Sequence, residues 1–160
     1  MTVRNRGLAV AALVLSSSCG TASAPQPQTG CASAAVAVSS ATDYLIARDN
    51  ARDLSGVVAG YTDDVVWLPP TGAPVTGKAA IEARYRELFS TYQPHMRSET
   101  IDAAASGLLG FVRGTTSGTL VPIGGGEPKD VHDKFLAIVK CDGGVWRVSH
   151  LSWSPQSPGS

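Results

Sequence analysis

The chain has 160 residues, 13 basic and 13 acidic side chains, and a charged fraction of only 16%. A neutral balance without any Lys/Arg run excludes the electrostatic footprint of a nucleic-acid binder. The length allows one domain with a real core, and no internal repeat points to a solenoid or array.

The first segment is a targeting pattern. Arg4 and Arg6 precede an apolar run from Gly7 to Leu15, followed by Ser16-Ser17-Ser18-Cys19. A positive start, a short apolar stretch and small residues make an export signal. The run is well short of the roughly twenty apolar residues that span a membrane. Cys19 directly after small residues resembles a bacterial lipoprotein signal, in which the cysteine becomes the new N-terminus and carries the lipid. Ser16 stands where that pattern has an aliphatic residue, with Leu15 one place early. Two outcomes are therefore expected: lipidation at Cys19 and anchoring on the outer face of the cell membrane, or cleavage near Ala22-Ser23-Ala24 and secretion. Residues 20–32 read as a flexible Pro/Gln tether, 33–154 as the folded domain, and 155–160 as a disordered tail.

If Cys19 is lipidated, Cys31 and Cys141 remain in an oxidising compartment, and a bridge between them is the only one available. It would close a loop of about 110 residues, worth roughly 4–5 kcal/mol in the chain-entropy model. The other reading is two separate thiols. No Cys or His stands at metal-ligand spacing to either, so no metal site is expected.

Residues 33–50 carry Val38, Ala41, Leu45 and Arg48 at helical spacing. Asp53 follows as an N-cap for a short helix burying Leu54, Val57, Val58 and Tyr61, which Asp63-Asp64 then break. Val65-Val66-Trp67-Leu68 reads as a strand, and Pro69-Pro70-Thr71-Gly72 as a turn. The clearest helix follows Gly77, with Ile81, Tyr85, Leu88, Phe89 and Tyr92 on one face until Pro94 ends it. Strands are expected over 96–103, 108–121, 131–140 and 145–153. The turn Asp142-Gly143-Gly144 joins the last two into a hairpin. Three helices on one face of a curved antiparallel sheet make an α+β fold whose concavity encloses a pocket.

Tyr61-Thr-Asp-Asp-Val-Val-Trp-Leu-Pro-Pro followed by Pro74-Val-Thr-Gly-Lys-Ala-Ala-Ile81 resembles the core signature of the SnoaL-like, nuclear-transport-factor-2-like superfamily. Phe111-Val-Arg-Gly-Thr-Thr-Ser-Gly-Thr-Leu, Asp133-Lys-Phe-Leu-Ala-Ile-Val, Asp142-Gly-Gly-Val-Trp-Arg-Val and the closing Trp153-Ser154 are similar to its SgcJ/EcaC-type subfamily. The resemblance covers about residues 40–154. It implies a cone-shaped sheet around three N-terminal helices, often a homodimer through the sheet, with a pocket at the wide end. Relatives range from isomerases, dehydratases and cyclases to plain binding domains, so the fold leaves function open.

Ketosteroid isomerase relatives place a carboxylate base about eight residues after the position of Tyr61, and here that residue is Pro69. Tyr44 lies near the position of their first-helix tyrosine. In the closing strand, His150, Leu151 and Ser154 replace the subfamily's usual Arg, Asp and Asn. Strand alternation puts His150 on one face with Trp146, Val148 and Ser152, opposite Leu151 and Trp153. Tyr44 as donor and His150 as base are the weak catalytic candidates, and they matter only if they converge in one pocket. Trp67, Tyr85, Phe89 and Phe111 are the candidate pocket aromatics.

His132 and Asp133 are neighbours on a strand and point to opposite faces, which argues against a dyad. Gly124-Gly125-Gly126 lacks the Gly-Lys-Ser/Thr of a phosphate loop, and no Rossmann, G-x-S-x-G or H-E-x-x-H pattern occurs, so no cofactor is expected. Two functions follow: a tethered module binding a small hydrophobic molecule or an envelope partner, or an isomerase/cyclase-like enzyme acting on a carbonyl compound.

Overall fold

The structure is a computed structural model that describes residues 30–156. The signal segment with Cys19, the tether up to residue 29 and the last four residues of the tail lie outside the described residues.

Helix α1 (Ala35–Asn50) buries Val38, Ala41, Thr42 and Leu45. Arg48 is not on that face. It is exposed, 3.2 Å from the Asp53 carboxylate, with its guanidinium 4.9 Å from the Tyr44 ring centroid. Asp53 caps helix α2 (Leu54–Ala59) as expected, its side chain accepting a 2.9 Å hydrogen bond from the Gly56 N–H. Tyr61 belongs to strand β1 (Tyr61–Leu68) and not to α2.

Asp63-Asp64 break no helix: α2 stops at Ala59, and the acidic pair sits inside β1, where the register against the closing strand shifts between Tyr61 and Val66. Asp63 pairs with Lys78 at 2.8 Å and Asp64 with Lys140 at 2.6 Å. Both pairs are solvent-exposed and contribute little to stability.

Strand β2 (Val75–Thr76) leads into helix α3 (Lys78–Thr91), which buries Ile81, Tyr85 and Phe89. Pro94 does not end α3; it lies buried two residues into strand β3 (Tyr92–Ser106). A proline is tolerated there because β3 is an edge strand. Strands β4 (Leu109–Pro122), β5 (Lys129–Asp142) and β6 (Val145–Pro155) complete a sheet of order β2-β1-β6-β5-β4-β3. Every pairing is antiparallel except β1 with β6, which run parallel. The expected all-antiparallel sheet is corrected at that one pairing, where the last strand, β6, returns to lie between β5 and β1.

The inner face of this curved sheet holds Val112, Phe135, Ala137, Val139, Trp146 and Val148 against α1 and α3. Gly114 permits that curvature. A Cβ there would lie 2.2 Å from the Glu99 carbonyl oxygen and 3.0 Å from the Phe135 ring.

Cys31 and Cys141 are joined by a disulfide, with Cα atoms 5.7 Å apart. The Trp146 indole N–H donates to the Ala32 carbonyl at 2.8 Å. Together they fasten the segment ahead of α1 to the β5–β6 hairpin. The structure thus has the expected α+β architecture, an open curved sheet around helices packed on its concave side.

Candidate functional site

Between α1, α3 and the concave face lies a cavity of about 340 Å³, at the small end of the roughly 300–1,000 Å³ typical of ligand sites. Its inner wall is aromatic. Trp67 stands edge-on to three other rings, with centroid distances of 5.7 Å to Tyr61, 5.3 Å to Tyr85 and 5.5 Å to Trp153. Thr42, Leu45 and Leu151 are among the residues that close the wall.

A β-bulge puts Leu151 and Trp153 into this wall. Ile138 faces His150 but Val139 faces Val148, so Ser149 is the extra residue of β6. One inserted residue reverses the side-chain parity beyond it. Trp146 and Val148 therefore face inward, and so do Leu151 and Trp153. His150 stands opposite Leu151 and Trp153, as expected, but does not share a face with Trp146 and Val148: it lies on the outer surface of the sheet, its Nδ1 3.2 Å from the Ser149 hydroxyl.

Tyr44 is 37% exposed and lies outside the cavity wall. Tyr44 and His150 do not converge and form no acid–base pair. Of the four candidate pocket aromatics, Trp67 and Tyr85 line the cavity. Phe89 is packed behind Tyr85, 5.5 Å between centroids, as core. Phe111 is corrected as a pocket residue: it alternates with the buried Val112 and so faces the convex side of β4.

The ionisable groups of the cavity are two carboxyls and two phenols, of which only Tyr85 is among the expected pocket residues. Asp49, in the last turn of α1, lines the cavity, and its Oδ1 is buried without a hydrogen-bond partner. Burial pushes its carboxyl up to about 7 by penalising the ionised form. The neighbouring Asn50 fixes this end of the helix. Its side-chain amide donates to the Met96 carbonyl at 2.8 Å while its Oδ1 accepts from the Met96 N–H at 2.7 Å.

The Tyr61 and Tyr85 hydroxyls meet at 3.0 Å on the same wall. Burial raises both phenols, so both stay protonated. The Trp67 indole N–H leans toward the Tyr61 hydroxyl, lowering it against the effect of burial, without closing a full hydrogen bond. Asp133, on β5, also lines the cavity, and desolvation raises its carboxyl.

The inward placement of both carboxyls has a signal in the sequence. Val38, Thr42, Leu45 and Asp49 repeat every three to four residues, which puts Asp49 on the buried stripe of α1. Asp133, Phe135, Ala137 and Val139 alternate on the inner face of β5. No group of three or more potential metal ligands occurs among the described residues.

A model of the SnoaL-like domain matches residues 42–148. A ketosteroid isomerase-like protein from Erwinia carotovora atroseptica has 25% identity and a TM-score of 0.69, covering 78% of this chain and 97% of that chain. A proposed scytalone dehydratase from Novosphingobium aromaticivorans shares the fold at 10% identity and a TM-score of 0.71, covering 76% of this chain and 83% of that one. A proposed aromatic ring hydroxylase from the same organism does so at 17% identity and a TM-score of 0.68, covering 77% and 89%. No protein of curated function matches the chain significantly.

Proposed function

Since this chain belongs to the SnoaL-like domain family, a fold that by itself fixes no activity, we propose that it is a binding domain for a small, mostly apolar molecule with one polar end. The observation that carries this reading is the cavity itself: an aromatic wall of Tyr61, Trp67, Tyr85 and Trp153 around one buried carboxyl oxygen with no protein partner. A buried polar atom left unpaired costs about 1–3 kcal/mol, and a ligand's polar group at Asp49 relieves that cost while its apolar body fills the rest. The protein works outside the cell, tethered to the membrane through lipid on Cys19. The motif at residues 4–19 supports this location.

Native mass spectrometry of the protein purified from its own envelope tests the reading. A retained small apolar molecule is expected; a cavity that holds nothing and takes up no fragment overturns it. In the same cells Cys19→Ala is expected to leave the membrane fraction, and an unchanged fraction removes the anchor.

Two observations favour a second reading, an isomerase- or cyclase-like enzyme acting on a carbonyl compound. A carboxyl near 7 is matched to proton transfer at neutral pH, and the Tyr61–Tyr85 hydroxyl pair is placed to hydrogen-bond a carbonyl oxygen. Asp49, and neither Tyr44 nor His150, is then the proton-transferring group. Deuterium exchange α to the carbonyl of small cyclic ketones, read by NMR, tests this. Exchange is expected with the native protein and not with Asp49→Asn; equal exchange in both excludes it.

A further inference from the structure

The cavity is one-signed. Apart from the two protonated phenols, its ionisable side chains are Asp49 and Asp133, and the wall includes no Lys, Arg or His. Asp43 adds a third carboxylate near the wall, 3.2 Å from the hydroxyl of the lining residue Ser98. The nearest candidate cations on α1 and its following turn are engaged elsewhere: Arg48 with Asp53 and the Tyr44 ring, Arg52 with the Phe89 carbonyl.

Resting on the pocket reading above, we propose that the ligand is a cation: a small apolar amine whose ammonium group pairs with the unpartnered Oδ1 of Asp49 amid Tyr61, Trp67 and Tyr85. A buried carboxylate is costly unless an opposite charge accompanies it, and no described side chain supplies one. Aromatic faces beside a carboxylate are the surroundings that stabilise a desolvated ammonium, through cation–π attraction added to the ion pair. An anionic ligand meets two like charges in the same low-dielectric space. A neutral alcohol satisfies Asp49 by hydrogen bonding but brings no charge to set against the two carboxyls.

The groups facing Asp49 are few. Strand β1 contributes Tyr61, helix α3 contributes Tyr85, and β5 contributes Asp133 across the cavity; the lining residues of β3, β4 and β6 are not titratable. The dominant proton linkage is therefore that of Asp49 itself. At pH 6 its carboxyl is mostly protonated, and pairing with an ammonium expels that proton. At pH 8 it is already ionised. An alkylammonium stays charged throughout, as a lysine does.

Isothermal titration with three probes of one skeleton tests the proposal: phenethylamine, 2-phenylethanol and phenylacetate. The amine is expected to bind about tenfold tighter than the alcohol at pH 8, with phenylacetate not binding. Its affinity is expected to rise about tenfold from pH 6 to pH 8, with close to one proton released at pH 6. Asp49→Asn is expected to abolish both the preference for the amine over the alcohol and its pH dependence, with an unchanged near-UV circular dichroism spectrum reporting a folded protein. An alcohol bound as tightly as the amine, or an amine preference that survives Asp49→Asn, overturns the cation and leaves the pocket standing. Failure of all three probes overturns the pocket and the proposal together.

Discussion

The side-chain amide of Asn50 reads the backbone of Met96 as a neighbouring strand would, accepting from its N–H at 2.7 Å and donating to its carbonyl at 2.8 Å. Gln93 adds a 2.9 Å bond to the Asn50 carbonyl. These bonds tie the end of α1 to the edge strand and thereby hold Asp49, one residue earlier, against the cavity. Asn50→Ala is expected to cost about 1–3 kcal/mol and to let the Asp49 carboxyl fall toward its ordinary value as the helix end loosens. Urea melts and NMR titration of that carboxyl check both effects; a stable variant with Asp49 still near 7 contradicts the positioning role.

Asp49 also makes stability depend on pH in an unusual direction for a carboxylate. Its ordinary value is 3.8 and its folded value about 7. Below about pH 4 both states are protonated and the group is neutral to stability. Between about 4 and 7 the unfolded chain ionises first, so stability falls as pH rises, and above 7 the loss is complete. Three units correspond to about 4 kcal/mol. Asp49→Asn is therefore expected to match the native protein near pH 3.5 and to exceed it by up to about 4 kcal/mol at pH 8. Equal stability at pH 8 would show that the carboxylate is paired or hydrated.

Reduction of Cys31–Cys141 releases a constraint on a separation of 110 residues. The expected cost is about 4–5 kcal/mol if the reduced unfolded chain is fully flexible. Thermal melts with and without reductant measure it, and non-reducing peptide mapping should recover Cys31 linked to Cys141.

Gly114→Ala forces a methyl against the Glu99 carbonyl, where a Cβ lies 2.2 Å away, and against the Phe135 ring at 3.0 Å. Overpacking of this kind costs typically 1–3 kcal/mol. Because Phe135 lines the cavity, the variant is also expected to weaken ligand binding. Tyr44→Phe and His150→Ala, whose parent side chains lie outside the cavity wall, are expected to leave binding unchanged. Loss of binding in either would return it to the site.

How much the sequence disclosed follows from what each signal depends on. Helix α1, the Asp53 cap, α3 and the hairpin strands rest on local periodicity and capping, and they were legible. The faces of β6 were not, because one bulged residue at Ser149 reverses every side chain after it and no composition marks the bulge. Arg48 was placed on the buried face one position short of Asp49. The spacing through Ala41 and Leu45 continues to Arg48 and the spacing through Thr42 and Leu45 continues to Asp49, and the packing of the helix end against β3 selects the second. The parallel β1–β6 pairing is likewise a tertiary fact, invisible to local pattern.

An indole N–H NMR titration of the folded protein with a panel of small aromatic and alicyclic alcohols and amines tests ligand entry into the cavity. Trp67 and Trp153 line the cavity, whereas the Trp146 N–H is hydrogen-bonded to Ala32 outside its wall. Saturable shifts are expected at Trp67 and Trp153, with Trp146 unmoved. Shifts confined to Trp146, or no saturable shift with any member of the panel, would contradict ligand entry.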